Sequence, residues 1–119
     1  MRSRDKPYVF LSYTGRDGVK ESLARPTQWF MRHVLGVDCF LDDGGDIRPG
    51  QDKMEFVVLP AYQCTHALLI FSPRFRTRHF CVMGVNTFLG RWQRKDGLQI
   101  SPALWGVDNV DDCQIQVSD

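Results

Sequence analysis

Three short polar segments contain the residue types that could do chemistry. Residues 12–17 follow an apolar run, residues 42–50 are rich in glycine and aspartate, and residues 72–80 contain three arginines and a histidine. Arginines just before a predicted helix favour a phosphate-bearing ligand, because helix N-termini attract anions. Two alternatives remain open at this point, namely a glycine turn that only connects a strand to a helix and a solvated basic turn.

Several other chemistries are excluded by missing motifs. The chain has neither a Gly-x-Ser-x-Gly nucleophile elbow nor a Gly-x-x-x-x-Gly-Lys-Ser/Thr phosphate loop. The histidines and cysteines form no set with metal-ligand spacing, so we expect no metal site. A phospho-acceptor receiver domain needs an aspartate at the end of its third strand, where this chain has Ser72-Pro73.

Composition indicates one small folded domain. The chain has 119 residues, of which 43% are hydrophobic and 24% charged, and its net charge is +1, so nothing global favours nucleic acid. The apolar runs are far below the roughly 20 residues of a membrane span. Four scattered cysteines without a signal-like leader indicate reduced thiols. We expect a cytoplasmic protein with a disordered segment over residues 1–7 and a folded domain over residues 8–119.

The three polar segments follow predicted strands. Strands are expected at residues 8–13, 37–42, 66–72 and 98–105, with Pro102 placing the fourth toward an edge. Helices are expected from Asp17, as N-cap, to Gly36 with an interruption at Pro26, from near Asp52, and over residues 78–92. This alternation predicts an α/β fold with a parallel sheet. Ligands of such sheets bind beyond the carboxyl ends of the strands, where the three segments meet.

Four ordered segments resemble the Toll/interleukin-1 receptor (TIR) domain. Tyr8-Val-Phe-Leu-Ser-Tyr-Thr-Gly-Arg-Asp17 resembles its first box, closest to the plant-like form, and Phe40-Leu-Asp-Asp43 with Ile47-Arg-Pro-Gly50 is similar to its second strand and BB loop. Residues 72–85 are similar to Ser-x-x-Tyr-x-x-Ser-x-Trp-Cys-x-x-Glu-Leu, and residues 100–108 to its fourth strand. The resemblance implies a flavodoxin-like sheet of four or five strands with helices on both faces. It also implies self-association and, as in many members, NAD⁺ cleavage.

The resemblance also implies which residues form the site, with NAD⁺ or a related nucleotide as substrate and no cofactor. The expected substrate contacts are Ser12, Tyr13, Thr14, Gly15, Ile47, Arg74 and Phe80. The alternatives are that Tyr13 packs on the sheet, that Phe80 is a core aromatic and that Ile47 contacts a second copy. The expected self-association residues are Asp43, Asp46, Ile47, Arg48 and Pro49.

The chain departs from the family pattern in two places. It ends at Asp119, so the family's fifth strand and last helix lack residues unless Gln114-Ile-Gln-Val117 supplies a vestigial strand. The NAD⁺-cleaving members have a catalytic glutamate four residues after the aromatic that Phe80 replaces, and here that position is Gly84. Glycine supplies no carboxylate, so the sequence predicts a chain that cleaves NAD⁺ very slowly or not at all.

Two functions therefore compete. One is a TIR enzyme of the NAD⁺-cleaving type with a defective catalytic position, and the other is a TIR scaffold that acts by homotypic assembly. Charge separation favours assembly, because an acidic group and a later basic group could form complementary patches. The acidic residues are Asp42, Asp43 and Asp46, and the basic ones are Arg74, Arg76, Arg78, Arg91, Arg94 and Lys95. We expect no nucleic acid and no membrane as partner.

Overall fold

The computed structural model describes residues 6–14, 17–42, 53–75 and 79–109. Its strands are β1 (Tyr8–Ser12), β2 (Asp38–Asp42), β3 (His66–Phe71) and β4 (Gln99–Leu104). Its helices are α1, which runs from Lys20 to Leu35 in three consecutive segments, α2 (Lys53–Gln63) and α3 (His79–Gln93). No helix in these ranges combines the length and the apolar character needed to cross a membrane.

The four strands form one parallel sheet in the order β2-β1-β3-β4. Phe10 lies between Phe40 of β2 and Ala67 of β3 in the register. The chain leaves β1 toward β2 on one side and returns to β3 on the other, so strand order reverses between β1 and β3. That reversal is the place where open α/β sheets bind ligands.

Alternating side chains of the sheet form a core on each face. Tyr8 and Phe10 pack into a cluster with Ala61 of α2 and Phe88 of α3. Val9 and Leu11 belong to a second cluster with residues of α1, among them Ala24 and Met31. The parallel α/β sheet with helices on both faces is thus confirmed.

Helix α1 changes its winding twice. Lys20–Ala24 and Met31–Leu35 wind as π-helix, and Arg25–Phe30 between them winds as α-helix. Pro26, which has no N–H to donate, lies at the first change of winding, directly after the π-helical segment. The expected interruption is therefore a change of winding within a continuous helical path. Gly36 ends the helix with φ 67°, a left-handed value that glycine adopts without strain, as predicted.

Strand β4 lies at an edge of the described sheet, as Pro102 predicts. On the side facing β3, the N–H of Gln99 donates to the carbonyl oxygen of Thr65 at 3.1 Å, and the N–H of Trp105 donates to that of Phe71 at 3.0 Å. Because N–H groups alternate along a strand, residues 100, 102 and 104 point theirs toward the outer edge. Pro102, which has no N–H, stands at the middle of that outer row.

Candidate functional site

The carboxyl end of β1 buries a short polar segment. Ser12 and Thr14 are both fully buried, and so is Tyr13 between them. Among the described residues, no hydrogen-bond partner reaches Oγ of Ser12, although that atom is shielded from solvent. Buried hydroxyls in native proteins are nearly always satisfied by protein, water or ligand. The Ser12 hydroxyl at the reversal of strand order is therefore a candidate ligand contact.

Gly84 of α3 lies directly over this hydroxyl. A Cβ built on Gly84 would be 3.8 Å from Oγ of Ser12 and 3.6 Å from Cε2 of Phe88, both ordinary van der Waals distances. Phe88 itself is fixed by edge-to-face packing on Phe10, with ring centroids 5.1 Å apart. The Cβ of a side chain at position 84 would therefore fit without a clash against these two residues and would lie beside a buried hydroxyl.

Asp17 joins the loops that follow β1 and β3. Its Oδ2 accepts a hydrogen bond from Oγ of Ser72 at 2.5 Å and from the backbone N–H of Arg74 at 2.8 Å. Its Oδ1 is 3.7 Å from Nε of Arg74. The N-cap role expected for Asp17 is wrong, because the N-cap residue of α1 is Val19. Its carboxylate holds the two site loops together through charge-assisted hydrogen bonds.

The predicted site residues fall into three groups. Ser12 and Thr14 line the carboxyl edge of β1, and Tyr13 packs in the cluster on the α1 side, which favours its packing alternative. Arg74 is exposed and lies against Asp17, so an anion would have to share this arginine with the carboxylate. The remaining predicted residues lie outside the described part of the chain, with only the backbone of Phe80 placed, in α3. They are Gly15, Asp43, Asp46, Ile47, Arg48 and Pro49, together with the possible strand at residues 114–117.

Arg91 is buried, and its placement in the exposed basic group is wrong. It is 6% exposed, and its Nε donates to Oδ2 of Asp96 at 2.8 Å. Its Nη1 donates to the carbonyl oxygen of Ala61 at 2.8 Å and lies 3.4 Å from Sγ of Cys64. This guanidinium therefore ties the end of α2 to α3 and to the turn before β4, and it offers no charge to a partner.

The same cluster shifts two pKa values. Burial raises the pKa of the Cys64 thiol to about 11, and the neighbouring Arg91 guanidinium only partly offsets that effect. The hydrogen bond from Arg91 holds the pKa of Asp96 below its usual value. Cys64 is thus a neutral thiol near pH 7, unsuited to nucleophilic chemistry. Within the described ranges, no group of three or more His, Cys, Asp and Glu side chains could hold a metal ion.

Comparison with known proteins shows that the fold of this chain is similar to that of a solved structure. No family model and no curated protein matches the sequence. The structure is similar to a solved chain of the activated Roq1 resistosome directly recognizing the pathogen effector XopQ (TIR domains), with a TM-score of 0.73 and 20% sequence identity. The match covers 87% of this chain and 60% of that one. The chain therefore has the fold of a TIR domain and spans 60% of the length of that solved chain.

Proposed function

We propose that this chain is a TIR signalling module of the NAD⁺-cleaving type whose catalytic position is occupied by Gly84. The observation that carries the proposal is the placement of Gly84 over the buried Ser12 hydroxyl, at the reversal of strand order. The likeness to TIR domains supports it. The motifs around residues 8–17 and 80–85 resemble the cleaving branch. The proposed location is the cytoplasm, and the proposed activity requires self-association.

In the proposed reaction, the bond between C1′ of the ribose and the nicotinamide nitrogen breaks, and an oxocarbenium-like state develops. A glutamate at position 84 would hold the ribose hydroxyls and stabilise the positive charge. Gly84 supplies neither function. Loss of one preorganised electrostatic group typically lowers a rate by about 100- to 1,000-fold. NAD⁺ cleavage by this chain is therefore very slow or absent.

The other parts of the proposed site have separate roles. Ser12 offers a hydroxyl at the floor of the site, and the described backbone of α3 places Phe80 one turn before Gly84. Asp17 fixes the approach of Arg74, which meets the phosphates of the nucleotide in this proposal. Gly15 and Ile47 are further substrate contacts in this proposal. Loss of the carboxylate leaves these groups in place, so the substrate can still bind.

The test is nicotinamide release from NAD⁺, measured by chromatography, for the chain beside its Gly84→Glu and Gly84→Gln variants. Glutamine matches the glutamate in shape but has no negative charge. We expect release in the Gly84→Glu variant to exceed that of the chain and of Gly84→Gln by about 100-fold or more. Equal silence in all three, with folded circular dichroism spectra, would contradict the enzyme proposal.

The second candidate is a scaffold without enzymatic activity that assembles through TIR–TIR contacts. The similar solved chain comes from a resistosome, which supports assembly as a mode of action. The expected contacts are the BB loop residues Asp43, Asp46, Ile47, Arg48 and Pro49. Asp46→Lys should abolish any concentration-dependent size in light scattering. A monomer at every concentration, before and after the substitution, would count against assembly.

A further inference from the structure

The outer side of α3 exposes apolar side chains near the carboxyl end of the helix. Leu89 is 46% exposed and Trp92 is 60% exposed. Trp92 also lines a groove of about 570 Å³, together with Gln93, Lys95, Gly97 and Leu98. We call Leu89 and these groove residues the α3 surface. We propose that residues 110–119 of the same chain dock on the α3 surface.

The α3 surface lies away from the candidate functional site. Leu98 directly precedes β4, so the groove lies at the amino ends of the parallel strands, whereas the candidate site follows their carboxyl ends. Apolar side chains exposed side by side mark interaction surfaces. The inference therefore goes beyond the proposed function and concerns a separate part of the molecule.

The turn that borders the groove is positively charged. Arg91, Arg94 and Lys95 lie there with Asp96, three cations against one acid. Asp96 accepts a hydrogen bond from the buried Arg91 at 2.8 Å, whereas Arg94 and Lys95 are exposed. Because opposite charges steer and orient association, the α3 surface favours an acidic occupant.

Lys95 stands where the backbone favours glycine. Its φ is 56°, and among the described residues it is the one non-glycine residue with a positive φ. Glycine is the usual residue at such a left-handed position after a helix. Natural sequences depart from local preference mostly at functional sites. A lysine kept at this position therefore supports a role for its ammonium group at the edge of the groove.

Residues 110–119 have the composition that this surface requires. The segment Val-Asp-Asp-Cys-Gln-Ile-Gln-Val-Ser-Asp contains three aspartates and neither lysine nor arginine. Ile115 and Val117 alternate with Gln114 and Gln116. Alternate side chains of an extended chain point to the same side. Docked in an extended form, the segment would turn both aliphatic side chains toward α3 and both glutamines toward water.

The described path of the chain brings this segment to the α3 side of the sheet. Val107 packs against the core cluster that contains Phe88 of α3. Helix α3 has 15 residues, which is a length of about 22 Å. The ten residues from 110 to 119 span up to about 33 Å when extended. A segment that runs beside α3 in the direction of the helix can therefore bring Asp119 to Lys95.

The experiment measures how accessible Trp92 is to solvent in the full chain. 5-Fluorotryptophan labels the three tryptophans, Trp→Phe variants assign their ¹⁹F signals, and a neutral soluble nitroxide broadens the signals of accessible rings. Trp29 of α1 is the internal reference, because it is also 60% exposed in the described structure. We expect strong broadening of Trp29 and weak broadening of Trp92, since the docked segment covers the Trp92 indole. Equal broadening of the two would overturn the proposal.

Two matched double variants test which side of the segment faces α3. Ile115→Asp with Val117→Asp removes both aliphatic contacts and should lower the docked population by about tenfold or more, so that Trp92 broadens like Trp29. Gln114→Asp with Gln116→Asp adds the same charge on the other side and should leave Trp92 protected. The same Trp92 broadening in both double variants would refute the docking.

Charge exchange and dilution complete the test. Asp119→Lys should weaken docking by about two- to fivefold, the range for exposed ion pairs, and Lys95→Glu in the same chain should restore it. Failure of this restoration would refute the placement of Asp119. Because the segment belongs to the same chain, protection of Trp92 should be unchanged on about 100-fold dilution. Protection that disappears on dilution would show that a second copy covers the surface and would overturn the proposal.

Discussion

Replacing Gly84 by alanine should stabilise the protein. Glycine inside a helix costs about 1 kcal/mol relative to alanine, because it loses more backbone freedom on folding. The structure adds no opposing strain, since the new Cβ would lie 3.6 Å from Phe88 and 3.8 Å from Ser12 Oγ. Burying one methyl group contributes up to about 0.8 kcal/mol more. The free energy of unfolding should therefore rise by about 1–2 kcal/mol.

Gly90 of the same helix provides the matched control. Among the described residues, its added Cβ would meet Nη1 of Arg94 at 3.5 Å, which is the far end of a flexible side chain. Gly90→Ala should raise the free energy of unfolding by the difference in helix propensity alone, about 1 kcal/mol. Urea denaturation followed by circular dichroism measures both changes, and the melting temperature should rise by roughly 3–6 °C for each kcal/mol gained. A loss of stability in Gly84→Ala beside a gain in Gly90→Ala would refute the conclusion that a Cβ fits at Gly84 without strain.

Three further predictions concern the buried cluster and the sheet edge. Asp96→Asn should lower stability by about 1–2 kcal/mol at pH 7, since it weakens the main partner of buried Arg91. The folded protein lowers the pKa of Asp96 from its usual value of 3.8, so the stabilisation is complete above pH 3.8 and is lost as the pH falls through the lowered pKa. The urea midpoints of the chain and of Asp96→Asn should therefore converge in acid. Cys64 should resist iodoacetamide at pH 8 in the native chain and react in urea, as read by peptide mass spectrometry; native labelling would contradict its burial. Pro102→Val should restore an outward N–H at the β4 edge and increase association in light scattering, whereas an unchanged size would mean that this edge is covered.

The strands and their sheet were predictable from the sequence because the relevant signal is local. Continuous apolar runs such as residues 66–71 indicate strands buried on both faces, and these runs alternate with helical patterns. The end of α1 at Gly36 and the edge position of the strand that contains Pro102 were also predicted correctly, because each residue has a backbone property that suits few positions. Glycine adopts a left-handed φ without strain, and proline cannot donate to a strand ladder.

Arg91 and Asp17 were misplaced because their partners are distant in sequence. Arg91 lies at the polar end of a helix, which normally means exposure, and its acceptor at Ala61 is 30 residues away. Asp17 stands where an N-cap is expected, yet its oxygens bond to residues 55 and 57 positions later in the chain. Local patterns cannot predict such contacts, because the first follows from the packing of α3 against α2 and the second from the pairing of β1 with β3.

Gly84 is the residue at which local preference and the fold disagree. Its helical backbone does not require glycine, the nearest atoms leave room for a Cβ, and the neighbouring Ser12 hydroxyl has no partner in the described part of the chain. Natural sequences break local rules mostly at functional sites. If alanine stabilises the protein, packing does not require glycine at position 84, which is the result expected where a larger side chain has been lost. If alanine instead destabilises the protein, close packing against Phe88 and Ser12 requires glycine, and the interpretation of a lost carboxylate fails.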